Sequence, residues 1–292
     1  MRRLTVRHVS TYRYSEPVAL GEHWMMFRPR EGHDLRLVST ALEIFPRPNK
    51  VQWLHDVFDN SIAVASFDDE TTELRFDSTV SLEHFESPLP DYQLAAEAQS
   101  YPFAYSPEDR ANLERALERR CISEDVAQWA ASFLGPSKST ATMDLLRSMA
   151  VATCEQFDYV RRLERGVQTP SETLQRRSGS CRDFALLMIE AVRSLGLAAR
   201  FVSGYIFVPD AELSRTVGGG ATHAWLQVYL PSAGWVDFDP TNRIIGNRNL
   251  IRVAVAWDPA DVLPLWGTFI GPAASFLGLE VTVCVVEDVT AT

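Results

Sequence analysis

The hydrophobic period of this chain changes from two to 3.6 near Ser106, and that switch fixes which architectures are open to it. Leu4 to Tyr14 is rich in β-branched and aromatic residues with near-alternating polarity, the signature of a half-buried strand. Similar runs cover Glu22 to Arg28, Leu35 to Phe45, Ser61 to Phe67 and Glu73 to Phe85. Turn chemistry separates them at Pro29-Arg30-Glu31-Gly32, Pro46-Arg47-Pro48-Asn49 and Asp59-Asn60. Short strands at even spacing predict an antiparallel, sandwich-like N-terminal domain over residues 1–86. Ser87-Pro88-Leu89-Pro90 then marks a composition shift. The stretch 87–105 reads as an extended linker.

From Ser106 the residues repeat at helical spacing. Ser106 is an N-cap, Pro107 occupies the first helical position, and Glu108 and Asp109 complement the helix dipole ahead of Leu113, Ala116 and Leu117. Further helices fit Ser123 to Leu134, Thr140 to Phe157 and 181 to about 195. Strand-like runs follow at Ala199 to Phe207, Ala224 to Leu230, Trp235 to Phe238, Arg252 to Ala256 and Glu280 to Val286. Helices followed by strands, without βαβ alternation, predict an α+β domain with an antiparallel sheet over 106–292, including the C-terminal strands. A chain of 292 residues is long enough for two such domains.

A net charge of -10 argues against nucleic acid or an anionic membrane surface as partner. The basic start Met1 to His8 has no apolar h-region behind it, so no signal peptide is expected, and no segment reads as a membrane span. Cys121, Cys154, Cys181 and Cys284 show neither a C-x-x-C pair nor zinc-knuckle spacing. A reducing, cytoplasmic location is the simplest expectation.

Cys181 is the thiol with a distinctive setting. It heads an amphipathic run in which Phe184, Leu187, Met188, Ala191, Val192 and Leu195 recur at spacings of three and four, ended by Gly196. That places it in a first helical turn, where unpaired N–H groups and the positive end of the dipole favour a thiolate. The chain has 6 His, and the five besides His223 lie within its first 84 residues. His223 is therefore the base available in the C-terminal part, at the start of a strand beside Gly218-Gly219-Gly220. Asp237 and Asp239 on the following strand point to the same face, and either carboxylate could orient the imidazole. One thiol, one imidazole and one carboxylate are the parts of a thiol acyl-transfer site.

Around that set, the backbone N–H of Cys181 and the side chains of Gln175, Tyr159, Trp225 and Trp235 are candidate oxyanion donors or substrate walls. Asp183 is expected in the first helical turn as a capping partner, or paired with Arg182 or another cation. A metal site is not expected, because zinc prefers paired local ligands that are absent here. No cofactor is implied.

Gly179-Ser180-Cys181-Arg182-Asp183-Phe184-Ala185, Arg200 to Tyr205, Thr222-His223-Ala224-Trp225 and Gly234 to Asn242 together resemble the bacterial transglutaminase-like proteins, often described as cysteine protease candidates. The resemblance implies a papain/transglutaminase-like core behind a β-rich N-terminal domain. It also implies Asp239 as the third member of a Cys181-His223-Asp239 triad. Thr222 stands where the family usually has Ser, and Gly218 to Ala221 where it has an acidic residue. A His and a Gly-Arg-Asp-Tyr run of the family are replaced by Leu250 and Ala256 to Pro259. The expected activity is acyl transfer on amide bonds of a peptide or protein, most simply hydrolysis. Amine transfer by a transglutaminase, or a non-catalytic peptide-binding module on the same fold, are the alternatives.

Overall fold

Alternation along the first strand builds the N-terminal sheet. The computed structural model describes residues 1–86, 93–136, 139–162, 166–209 and 216–288. β1 (Arg2–Met25) buries Leu4, Val6 and His8 on one face. It merges two predicted runs into one 24-residue strand. Its register against β5 (Thr71–His84) shifts between Arg13 and Val18, so its two halves serve different parts of a curled antiparallel sheet. β2 (Leu35–Phe45) pairs with β5 on one side, while β3 (Lys50–His55) pairs with β4 (Ser61–Ser66) on the other. The order is β2-β5-β1-β4-β3. β3 escapes a sequence reading because it is a short edge strand, exposed along almost all of its length.

The connector is a packed strap rather than an extended linker. Residues 87–92 of the predicted stretch lie outside the described residues. In the remainder β6 (Ser100–Tyr101) pairs with β7 (Thr140–Ala141). Tyr105 is buried, its hydroxyl accepting from the Ala198 N–H and donating to the Tyr229 carbonyl, both at 2.9 Å. Two main-chain groups of the core are satisfied this way, which explains why the polar-looking stretch is held.

The C-terminal part continues as α1 (Pro107–Asn112), α2 (Glu114–Leu117), α3 (Glu124–Ala131) and α4 (Thr142–Gln156). β8 (Asp158–Tyr159), α5 (Pro170–Arg176), β9 (Ser178–Gly179) and α6 (Cys181–Ser194) follow. The core sheet is β10 (Ala199–Ile206), β11 (His223–Leu230), β12 (Gly234–Asp239), β13 (Ile244–Ile245) and β14 (Leu250–Ala256). Its order is β13-β12-β11-β10-β14, antiparallel throughout. α6 buries Phe184, Leu187, Met188 and Ala191 in one cluster with Phe201, Leu226, Val228 and Phe238 of that sheet. Each such side chain contributes about 1.5–3 kcal/mol on leaving water.

β15 (Leu265–Ile270) and β16 (Phe276–Glu287) do not join the core sheet. Both return to pair with β1, which corrects the assignment of the C-terminal strands to the core. Alternation tells which face of a strand is buried, not which strand lies beside it. The two sheets share one apolar cluster, in which Leu4, Val6 and Leu82 meet the α6 residues. Asn60 closes the β14 edge like a short strand, its amide donating to the Val255 carbonyl at 2.8 Å and accepting from the Val255 N–H at 2.9 Å.

Candidate active site

The Cys181 segment is held on both sides by main-chain geometry. β8 and β9 form a two-residue parallel ladder, and Ser180 caps α6 in a capping box with Asp183. Cys181 is thus the first helical residue, 6% exposed. Gly179 leaves room for the box, since a Cβ there would stand 2.9 Å from the Asp183 Cβ.

Asp183 is fully buried and accepts from the Ser180 N–H and hydroxyl at 2.8 Å, and from the Gln168 N–H at 2.6 Å. Arg162 adds an ion pair at 2.9 Å. Burial would push this carboxyl upward, but the Ser180 and Gln168 hydrogen bonds and Arg162 hold it below the usual carboxylate range. Of the two expected roles for Asp183, capping is present. The partnering cation is Arg162 and not Arg182, whose guanidinium donates to the Pro259 carbonyl at 2.7 Å and lies over the Phe201 ring.

β11 and β12 bring His223 and Asp239 together: His223 Nε2 lies 2.8 Å from Asp239 Oδ2, with both side chains sealed from solvent. Asp239 also accepts from the Thr241 N–H and the Asn242 amide, each at 2.9 Å. Asn242 in turn spans Val217 through its own oxygen and nitrogen, at 2.8 and 3.1 Å. One side chain therefore ties the carboxylate to the loop ahead of His223. Gly218 adopts φ 95° and packs so closely on the imidazole that a Cβ would sit 2.6 Å from Nδ1. Val283 of β16 donates to the Gly220 carbonyl at 3.1 Å, so the N-terminal sheet braces the same loop.

His223 Nδ1 is buried without a closed hydrogen bond. The Cys181 thiol is, after Asp239, the group that acts on this ring. Burial alone would lower the imidazole, but the Asp239 carboxylate, helped by Cys181, pushes it up to about 10. Asp239 moves the other way, its burial outweighed by His223, Asn242 and Thr241, which lower it. Both directions favour an imidazolium-carboxylate pair. Tyr159 is pushed up to about 12 by burial and then by the neighbouring Cys181.

The other candidates separate cleanly. Asp237 accepts from the Trp225 indole N–H at 2.6 Å and lies 3.9 Å from Arg252, leaving the imidazole to Asp239. Trp225 stacks on His223, with ring centroids 5.9 Å apart, but its N–H is already committed to Asp237. Trp235 lies under Arg200 at 4.1 Å and packs on Tyr229 and Trp257, outside the Cys181-His223-Asp239 group. Gln175 is exposed on α5, where its side chain hydrogen-bonds Asp125. The helix turns that amide outward, so it is no oxyanion donor in this arrangement. The buried amide of the region is Gln168, which donates to the Ser178 carbonyl at 3.2 Å. Sequence reasoning missed Gln168 and Arg162, and it set Gly218 beside His223 without its packing on the ring.

A thiol at a helix start beside a carboxylate-held imidazole is equipped for nucleophilic chemistry on an acyl carbon. Residues 4–83 match the bacterial transglutaminase-like N-terminal region, and residues 127–240 match the transglutaminase-like superfamily. An uncharacterised Mycobacterium tuberculosis protein is 30% identical over 281 residues, spanning 91% of this chain and 87% of its own. A protein-glutamine gamma-glutamyltransferase of Pseudomonas aeruginosa is 34% identical over 77 residues, 25% of this chain and 11% of that one. The crystal structure of a cysteine protease candidate from Cytophaga hutchinsonii superposes with TM-score 0.69 at 16% identity, covering 98% of this chain and 91% of that one, a likeness of fold. The chain belongs to the transglutaminase-like superfamily, a family of cysteine-dependent enzymes, and carries that family's bacterial N-terminal region.

Proposed function

We propose that the protein is a thiol enzyme that hydrolyses amide bonds of peptides or proteins through Cys181, His223 and Asp239. The observation that carries the reading is the sealed 2.8 Å contact of His223 Nε2 with Asp239, which leaves Nδ1 for proton transfer in a ring that the Cys181 thiol also perturbs. Cys181 Sγ, as thiolate, attacks the carbonyl carbon. The oxyanion that forms is met by the Cys181 backbone N–H, one of the unpaired donors of the first helical turn. His223 Nδ1 gives its proton to the leaving amine as the C–N bond breaks, and a thioester remains. Water then attacks the thioester, His223 takes its proton, and the C–S bond breaks to release the acid. Tyr159, beside the thiol, is a wall or an additional donor for the substrate carbonyl.

A second reading replaces water with a primary amine, which makes the enzyme a transglutaminase. The local identity with the Pseudomonas aeruginosa gamma-glutamyltransferase over 77 residues favours it. Both share every catalytic part. They are separated by incubating the protein with a peptide library, with and without a primary amine, and weighing the products. Cleavage or deamidation that is lost in Cys181→Ala, and is indifferent to the amine, is the expected result. Amine incorporation would favour the second reading, and products identical for Cys181→Ala and wild type would reject both.

A further inference from the structure

The N-terminal sheet has a concavity of its own, bounded by strands that are consecutive but unpaired. Among the described strands β2 pairs with β5 and β3 with β4, so both are edges of the curled sheet. The connection 46–49 joins them at one end, where Arg47 and Pro48 line a groove of about 860 Å³. Leu42 and Ile44 form one wall, and Val51 and Trp53 the other. Trp53 is 52% exposed and Val51 40%, a large apolar outlay on a free edge. Edge strands of this kind present a row of N–H and C=O groups that another chain can pair with.

The charge of the groove contrasts with that of the whole chain. Arg28, which donates to the Thr40 hydroxyl at 3.1 Å, and Arg47 both line it, and no Asp or Glu does. Neither arginine pairs with a carboxylate among the described residues, in a chain of net charge -10. Unpaired backbone calls for an extended polypeptide, the apolar walls for alternate apolar side chains, and the two arginines for carboxylates.

We infer that this groove binds an extended peptide segment that presents apolar and acidic side chains on one face, added as a strand along the free edge of β3. Alternate side chains of an added strand point to one face, so the groove-facing set supplies both the apolar groups that pack on Val51 and Trp53 and the carboxylates that meet Arg28 and Arg47. Main-chain hydrogen bonds to the edge supply affinity, as in other cases of strand addition. A fatty acid would satisfy the walls and the arginines but would leave the edge backbone unpaired. The inference does not rest on the acyl-transfer reading, because binding is measured without turnover and Cys181→Ala protein is expected to bind equally.

The test is fluorescence anisotropy of the full chain with a labelled peptide that carries valine and glutamate in turn at every second position, with serine between, matched to the 6 residues of β3. Saturable binding is expected, weakened about tenfold or more in the Arg28→Glu, Arg47→Glu double variant, since like charges facing each other cost about 1.4 kcal/mol or more. N-methylation of alternate peptide amides should abolish binding to the unaltered protein, which keeps the test independent of how the variant folds. The inference is overturned by no saturable binding, by equal binding of a valine-lysine peptide, by unchanged binding after N-methylation, or by tighter binding of palmitate at the same site.

Discussion

Asp239→Asn is expected to lower the acyl-transfer rate by about three to four orders of magnitude while leaving the chain folded, as losing the carboxylate that orients a catalytic imidazole does elsewhere. The argument is electrostatic. Burial disfavours the charged imidazole, and it is the Asp239 carboxylate, with help from Cys181, that raises it to about 10. An amide in place of that carboxylate removes the compensating charge and leaves the burial cost. In the proposed mechanism the imidazolium donates to the leaving amine, and in the variant it becomes unstable at neutral pH. A pH profile distinguishes this from a merely structural loss: the alkaline limb of the residual activity should move to lower pH. The sign also extends to stability. A histidine raised in the folded state contributes stability that is complete below its unfolded value near 6.5 and lost as pH climbs through about 10. Wild type should therefore lose its stability advantage over the variant across that window, with a slope of at most about 1.4 kcal/mol per pH unit. Urea midpoints of both proteins across that range check it.

The second large effect concerns folding. Asp183→Ala should destabilise the protein by about 3–5 kcal/mol, the range for breaking one side of a buried, hydrogen-bonded charge pair. The Ser180 and Gln168 N–H groups would be stranded in the interior. For a chain of this size that is a drop of roughly 10 °C in thermal midpoint. Asp183→Asn preserves shape and should fall between. Because the native carboxyl is held low, its stabilisation is present above the unfolded value and lost as pH falls through the lowered one. Calorimetry at neutral pH checks the first claim. A midpoint within a few degrees of wild type would remove Asp183 from the scaffold of the nucleophile.

The sequence made the helix of Cys181 legible because local chemistry dictates it: an apolar stripe, a capping box and a terminating glycine all lie within one segment. The choice between Asp237 and Asp239 was not legible, since both lie on one face of β12 and only diagonal neighbours across β11 distinguish them. The structure gives Asp237 to Trp225 and Asp239 to His223. The placement of Gln175 was hidden for a related reason: its spacing from Cys181 made it a candidate oxyanion donor, and the helix phase of α5 sends it toward Asp125. Strand partners were equally hidden. Glu280 to Val286 reads as a strand from its own residues, yet its partner is residues 5–11 at the far end of the chain. Arg162 and Gln168 were invisible because a buried ion pair or amide leaves no periodic trace.

The central claim is that Cys181 is a nucleophile activated by His223, and relative thiol reactivity tests it most directly. All four cysteines, Cys121, Cys154, Cys181 and Cys284, are free, so each serves as an internal comparison. Iodoacetamide labelling of the folded protein at mildly acidic pH, followed by peptide mass analysis, gives the four rates in one experiment. Cys181 should be alkylated fastest despite being 6% exposed, and its rate should collapse in His223→Ala while the other three hold. A Cys181 rate no higher than those of Cys121 and Cys154, or one indifferent to His223, would contradict the account.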